Sequence, residues 1–300
     1  MMSEPRVVVV RSKSPVSAGG ALEKSKIGRM MDRGISLLTG LHSGREAWRA
    51  MFTERERLGI KVNTIGGRMI STRPETALSL AESIRLSGVP AENIMVWDRT
   101  NRELREAGYR LNLNSPGFRV FGTDAEGIGY DAALTSHLNI GSLLSSVQSR
   151  LASASISLAI LKDHGLAGIT AGMKNYFGAI HNPNKYHDSN CNPYVAEVFD
   201  IPAIKTKHRL TVLDALLVQF HRGPSFHPQW AEPFSGLIFS TDPVAADAFG
   251  WRLLEKLRAQ KGLPSLGEEL RQPEYIRTAQ AMGLGSADRE KVRIIEEEVD

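Results

Sequence analysis

The 300 residues predict an α/β fold in which a mostly parallel sheet carries helices on both faces, a Rossmann-like arrangement. Strand-like and helix-like patterns alternate from one end of the chain to the other. Ile156 to Leu161 is apolar throughout, as a strand covered on both faces requires. Helices opening on Pro and closing on Gly follow the strands, so βαβ units recur. With 42% hydrophobic residues the chain can bury one large core or two modest lobes. A single α/β domain over 1–300 is the expectation, and a two-lobed form is the alternative.

Val7 to Val10 starts the sheet, and Arg57 to Asn63 supplies a second strand. The spacing predicts a helix over Pro74 to Leu86, with Pro in its first turn, an apolar stripe through Ala77, Ala81 and Ile84, and Gly88 as its stop. Asn93 to Asp98 completes the βαβ unit. A short helix over Arg102 to Ala107, a strand near Phe118 to Phe121 and the central strand from Ile156 follow. Two more strands fall at Leu210 to Val218 and Gly236 to Phe239. The second feeds a helix with Thr241 or Asp242 as N-cap, Pro243 at its first position and Gly262 as its stop. Arg11 to Met51 and Tyr130 to Arg150 read as helical or irregular, and Gly19-Gly20 and Gly66-Gly67 as flexible points.

Lys and Arg number 37 against 33 Asp and Glu, a net charge of +4. The basic residues are scattered among acidic ones, as in Glu54-Arg55-Glu56-Arg57, without the runs that nucleic acid binding needs. The bias suits an anionic small molecule better. No apolar run approaches the ~20 residues of a membrane helix, so no membrane partner is expected. Met1-Met2-Ser3-Glu4-Pro5-Arg6 lacks a secretory pattern, which predicts a cytoplasmic protein as the sequence stands, exported if a leader has been removed. Cys191 is the only cysteine, so no iron–sulfur cluster is ligated by this chain's cysteine alone. Oligomeric state has no signature in the sequence.

Candidate chemistry gathers where parallel strands would end: Lys61 and Asn63, Asp98, Asp163 and His164, then Ser240, Thr241 and Asp242. Lys174-Asn175 follows a glycine-punctuated turn able to cradle a carboxylate or phosphate, and Gly66-Gly67-Arg68 offers a second cradle. His164, His181 and His187, with Asp163 and Asp188 beside them, are suited to a divalent metal or to a general base with an orienting carboxylate. A surface loop rich in Asn and His is the bland alternative. Asp247 falls within the apolar stripe of Val244, Trp251 and Leu254, so it needs a partner, structural or catalytic. No Gly-x-Ser-x-Gly elbow is present, and no Gly-x-Gly-x-x-Gly follows the first strand.

Taken in order, these segments resemble the DUF362 family, a domain of unknown function, from about Gly59 to near Gly285. Lys61-Val-Asn63 resembles the family's Lys-Pro-Asn strand end with Val62 in place of proline, Thr72-Arg-Pro74-Glu75 its helix start, and Val96-Trp-Asp98 its next strand end. The central signature is Lys162-x-His164, Gly168-x-Thr170 and Lys174-Asn175-x-x-Gly178. Asp214, Gly223-Pro224 and Ser240-x-Asp242-Pro-Val-Ala-x-Asp247 resemble later elements, while His221-Arg222 departs from the acidic or glycine residues usual before Gly-Pro. The resemblance implies a fold and a set of positions, raises the standing of Asp247, and assigns no activity.

The leading expectation is an enzyme that binds an anionic small molecule at the carboxyl edge of its sheet. Lys61, Asn63, Lys174, Asn175 and Arg68 would hold the anion. His164, with Asp163, Asp242 and Asp247, would carry acid/base chemistry, or His164, His181 and His187 would hold a divalent metal, under a loop from His181 to His187. Redox, isomerase and lyase chemistries are all compatible with this set. The alternative is a non-catalytic cofactor-binding or redox accessory protein. Both readings demand that His164, Lys174, Asp242 and Asp247 approach one cavity.

Overall fold

A computed structural model describes residues 4–13 and 22–300; Gly19-Gly20 lie outside the described residues. In chain order the strands are β1 (Arg6–Ser12), β2 (Leu58–Lys61), β3 (Ile94–Asp98), β4 (Arg119–Gly122), β5 (Thr135–His137), β6 (Ile140–Ser142), β7 (Ala154–His164), β8 (Gly168–Thr170), β9 (His208–Gln219), β10 (Ala231–Glu232), β11 (Gly236–Ser240) and β12 (Arg293–Val299). The helices are α1 (Lys24–Thr39), α2 (Gly44–Met51), α3 (Pro74–Ser87), α4 (Asn101–Glu106), α5 (Tyr194–Asp200), α6 (Pro202–Lys205), α7 (Pro243–Gln260) and α8 (Tyr275–Ala281).

The main sheet runs β12-β1-β11-β9-β7-β2-β3-β4, with β10 added to β9 and β8 to β7. Strands β9, β7, β2, β3 and β4 are mutually parallel, in registers such as Ile60 opposite Ile156 and Lys61 opposite Trp97. Side chains alternate across the sheet. Val8, Val10, Ile60 and Leu158 pack under α1, α2 and α3, while Val7, Val9, Ala159 and Leu161 pack under α5, α7 and α8. That two-sided burial explains the apolar run in β7, whose residues Ala154 to Asp163 are all buried. The α/β class with helices on both faces is therefore as the sequence predicts.

Two features differ from the expectation. β11 is antiparallel to both neighbours, β9 and β1. Its carboxyl end therefore lies at the opposite edge from Lys61 and His164, and Ser240 Oγ donates to the carbonyl of Arg6 at the start of β1. The second is β12, which pairs parallel to β1 and was hidden by the glutamates of Arg-Ile-Ile-Glu-Glu-Glu-Val. Charged residues are how an edge strand avoids further pairing, and Glu297 makes a two-pronged ion pair with Arg33 at 2.5 and 2.7 Å.

Local signals set most boundaries. α3 starts at Pro74 and stops at Gly88, whose φ of 127° is outside the range favoured by residues with a Cβ. α7 is capped by Asp242, which accepts from Ala245 N at 2.8 Å. In the Arg11 to Met51 region, α2 opens on a capping Ser43 that accepts from Glu46 N. The Tyr130 to Arg150 region holds β5, β6 and a short π-helical turn over Val147–Leu151. No helix among the described residues is long and apolar enough to cross a membrane.

Candidate functional site

A cavity of about 120 Å³ opens at the carboxyl ends of β2, β3 and β7. Its walls include Lys61 and Asn63 after β2, Asp98 and Arg99 after β3, His164 at the end of β7, and Lys174 and Asn175 on the 3-10 turn Lys174–Ala179. Pro183, Asn184 and His187 close one side, so the loop between His181 and His187 does form a wall. The volume suits a small ion or acid with a few waters and is below the 300–1,000 Å³ usual for drug-sized ligands.

Lys61 and Asp98 form a buried ion pair, with Nζ 2.6 Å from Oδ1 and a lysine side chain 1% exposed. The same ammonium donates to Val62 O at 2.7 Å and Asn175 Oδ1 at 3.1 Å, so its three hydrogens are used. Asp98 is held in turn by Thr64 N, Thr64 Oγ1 and Arg99 N. Asn175 returns Nδ2 hydrogens to Lys61 O and Ser157 Oγ, tying the 3-10 turn to β2 and β7. A Cβ at Gly178 would lie 2.7 Å from Lys61 Nζ, which accounts for the glycine in Lys-Asn-x-x-Gly. Lys61 and Asn175 therefore frame the cavity, and the positive charge of Lys61 is already neutralised.

Lys174 is different. It is buried, and no carboxylate among the described residues pairs with it. Its ammonium lies 3.3 Å from His187 Nε2 and 4.3 Å from the centre of the Phe177 ring. Burial pulls its pKa down to about 8. His187 Nδ1 lies 3.2 Å from Pro183 O, so Nδ1 carries the proton and Nε2 offers its lone pair to Lys174.

His164 has the opposite tautomer. Its Nδ1 accepts from Leu166 N at 3.2 Å and Ala167 N at 3.1 Å, which places the remaining hydrogen on Nε2. Burial, reinforced by Lys174, lowers its pKa to about 2, so the ring is neutral. The two imidazoles stack 5.6 Å apart. A metal ion at Nε2 would require the proton to move to Nδ1, against two backbone N–H donors. Among the described residues no group of three or more His, Cys, Asp or Glu is placed to hold a metal ion. His181 is exposed and packs edge-on against Tyr130, apart from the His164–His187 stack.

Several expected site residues take other roles. Asp163 faces away from His164 and binds Arg271 NH1 at 2.6 Å and Gly223 N at 2.7 Å, with Arg258 NH1 at 3.7 Å. Adjacent residues of a strand point to opposite faces, so Asp163 does not orient the ring next to it. Glu269 completes this ion cluster through Arg258 and Arg271. Asp242 accepts from Ala245 N and Ser286 N at the far edge of the sheet. Arg68 is exposed on the turn after β2 and does not line the cavity. Lys162, also buried, donates to Ile70 O at 3.0 Å and Pro224 O at 3.2 Å, joining two loops beside the cavity.

Asp247 does not line the cavity either, but it holds the strap that carries Lys174. Its oxygens accept from Gly172 N at 2.8 Å, Met173 N at 3.1 Å and Tyr275 OH at 3.3 Å. Burial pushes its pKa up to about 7 against those hydrogen bonds. Replacing it by alanine orphans two buried N–H groups at ~1–3 kcal/mol each. Asp247→Ala is expected to reduce unfolding free energy in urea by roughly 2–4 kcal/mol; a loss under about 1 kcal/mol would mean the strap holds itself.

The four-residue site that both readings demanded is therefore not formed, because the cavity includes His164 and Lys174 and excludes Asp242 and Asp247. Arg99 and Glu103, an ion pair at 2.9 Å, and Phe177 line it without having been singled out, and Thr170, named only within the central signature, lines it too. Their positions just after β3 and just before and after Lys174 were the available signal.

The chain belongs to the family described as domain of unknown function (DUF362), whose model matches residues 59–252. No curated protein matches it. A crystal structure of a Thermotoga maritima protein, a structural-genomics target, is similar with a TM-score of 0.43 and 11% identity over 81% of this chain and 60% of that chain. This chain thus spans three-fifths of that chain's length.

Proposed function

We propose that the carboxyl-edge cavity binds a small anion and is the active site of an enzyme acting on it. The observation that carries this reading is Lys174, a buried ammonium that lines the cavity with no carboxylate partner among the described residues. An uncompensated buried charge is costly and is relieved by an incoming counter-ion. The Nε2–H of His164 adds a neutral donor. Lys61, Asn63 and Asn175 shape the wall, and Arg99 at the rim adds a second positive group, balanced by Glu103. Two imidazoles of opposite tautomer around one amine favour catalysis over storage, because such perturbed groups concentrate where protons are moved. A divalent cation is no part of this reading, since the Lys174 ammonium repels it.

Thermal unfolding with phosphate, acetate or oxalate, against chloride at matched ionic strength, tests the proposal. At a hundredfold excess over Kd a bound anion adds about 2.7 kcal/mol, on the order of 5 °C in melting temperature for a chain of this size. The wild-type chain is expected to shift and Lys174→Met is not. Equal shifts in both, or none in either with every anion, would overturn it.

A further inference from the structure

Three buried lysines surround this region, and they differ in what their ammonium groups touch. Lys61 is bound to a carboxylate, a carbonyl and an amide oxygen, and Lys162 to two carbonyls. For Lys174 no oxygen acceptor is found among the described residues; its ammonium meets the Nε2 lone pair of His187, and the buried Cys191 thiol is near enough to act on its charge. Oxygen acceptors hold a lysine as its cation. A lone imidazole acceptor offers a place for the proton when the amine is needed, although the resting group is mostly the ammonium.

We propose that Lys174 is a nucleophile that forms an imine with a small 2-oxo acid, His187 acting as its base. This rests on the anion reading above and names the anion's class. Lys174 passes a proton to His187 Nε2, and the imidazolium keeps its Nδ1–H on Pro183 O. The free amine adds to the ketone carbon, the C=O electron pair moves to oxygen, and that oxygen takes a proton from the added nitrogen, giving a neutral carbinolamine with the nitrogen lone pair restored. The nitrogen lone pair then expels the hydroxyl as water with the proton returned from His187. In balance, R–NH3⁺ and O=CR₂ give R–NH⁺=CR₂ and H₂O, with no change in oxidation state. His164 Nε2–H faces the same cavity and is suited to the carboxylate or the carbinolamine oxygen. Burial lowers the pKa of Lys174 to about 8, as it does for Lys162, so what sets Lys174 apart is its place on the cavity wall beside the His187 lone pair. The Phe177 ring covers the apolar side of the amine.

The experiment is trapping of the full chain with pyruvate or glyoxylate and sodium borohydride, read by peptide mass spectrometry. The expected result is one reduced adduct on Lys174, suppressed by prior incubation with phosphate. Lys174→Arg keeps the charge and is expected to retain the phosphate-induced thermal shift while losing the adduct. His187→Gln is expected to slow trapping by on the order of 10²-fold, the size of a general-base contribution. Adducts spread over surface lysines and insensitive to phosphate would overturn the inference, and this readout needs only the wild-type chain. A phosphate shift without an adduct sinks the imine and leaves anion binding standing; an adduct with no anion-induced shift sinks the anion reading instead.

Discussion

Lowering the pH from 6.5 to 4.5 is expected to reduce unfolding free energy by roughly 3 kcal/mol, through histidines that the fold keeps neutral. His164 and His208 have pKa values pulled down to about 2 and about 3, in each case chiefly by burial. In the unfolded chain both bind a proton below pH ~6.5 while the native rings do not, so the unfolded state binds more protons and stability is lost as the pH is lowered. Each ring contributes about 1.4 kcal/mol per pH unit, and the two together about 5 kcal/mol over this interval. Asp247 works in the opposite sense. Its pKa, raised to about 7, lets the native state take up a proton that the unfolded chain does not bind until near 3.8. It returns roughly 2–3 kcal/mol of the loss.

His208 isolates one component, because its partners, Tyr176 OH at 3.0 Å and Thr211 Oγ1 at 3.1 Å, lie in the core away from the cavity. Urea denaturation of wild type and His208→Gln at several pH values reads the difference. The variant, less stable at pH 7.5, should have a dependence on pH shallower by about 1.4 kcal/mol per unit between pH 6.5 and 4.5. Parallel curves would mean that His208 titrates normally in the native protein.

Lys174→Met is expected to make the ligand-free protein more stable at pH 7, by about 1–3 kcal/mol, while abolishing its response to anions. Lys174 stays charged at that pH although burial lowers its pKa to about 8 from 10.5. The unfolded lysine holds its proton up to about 10.5, so between pH 8 and 10.5 the unfolded state binds more protons and wild-type stability rises with pH. Lys162, with the same lowered pKa, adds to that rise. Methionine preserves the packing against Phe177 and removes the charge. Its curve should therefore be flatter from pH 8 to 10.5, by up to about 3 kcal/mol over the interval. Such a variant would show stability sacrificed at a binding site, a common trade. A Lys174→Met protein less stable than wild type at pH 7 would place a buried counter-charge beside Lys174 and weaken the anion reading.

The central signature was legible as a family resemblance, whereas the contacts that require its glycines and their neighbours are tertiary. Gly178 leaves room for the Lys61 ammonium, Gly172 N donates to Asp247, and Gly223 packs against the Asp163 carbonyl, where a Cβ would meet the carbonyl oxygen at 1.8 Å. The structure stacks His187 on His164, while the ring of His181 packs against Tyr130. Asp163 was misassigned although strand alternation, visible in the sequence, opposes its facing His164. Arg99 and Glu103 gave no pattern beyond a helix start.

By itself the sequence determined the α/β class and most strand and helix limits, and pointed to the stretch from Leu161 to His181 as the place to look, because periodicity, Pro and Gly punctuation and turn chemistry act within a few residues. The tertiary structure alone decided that β11 runs backwards, which removes Asp242 from the site. It also decided which groups meet each buried lysine beside the cavity. Lys61 meets Asp98 37 residues away, while Asp163 meets Arg271 across 108. The state of a charge depends on the groups that surround it in space, and only the fold brings the Lys174 ammonium against an imidazole, with no carboxylate among the described residues paired to it.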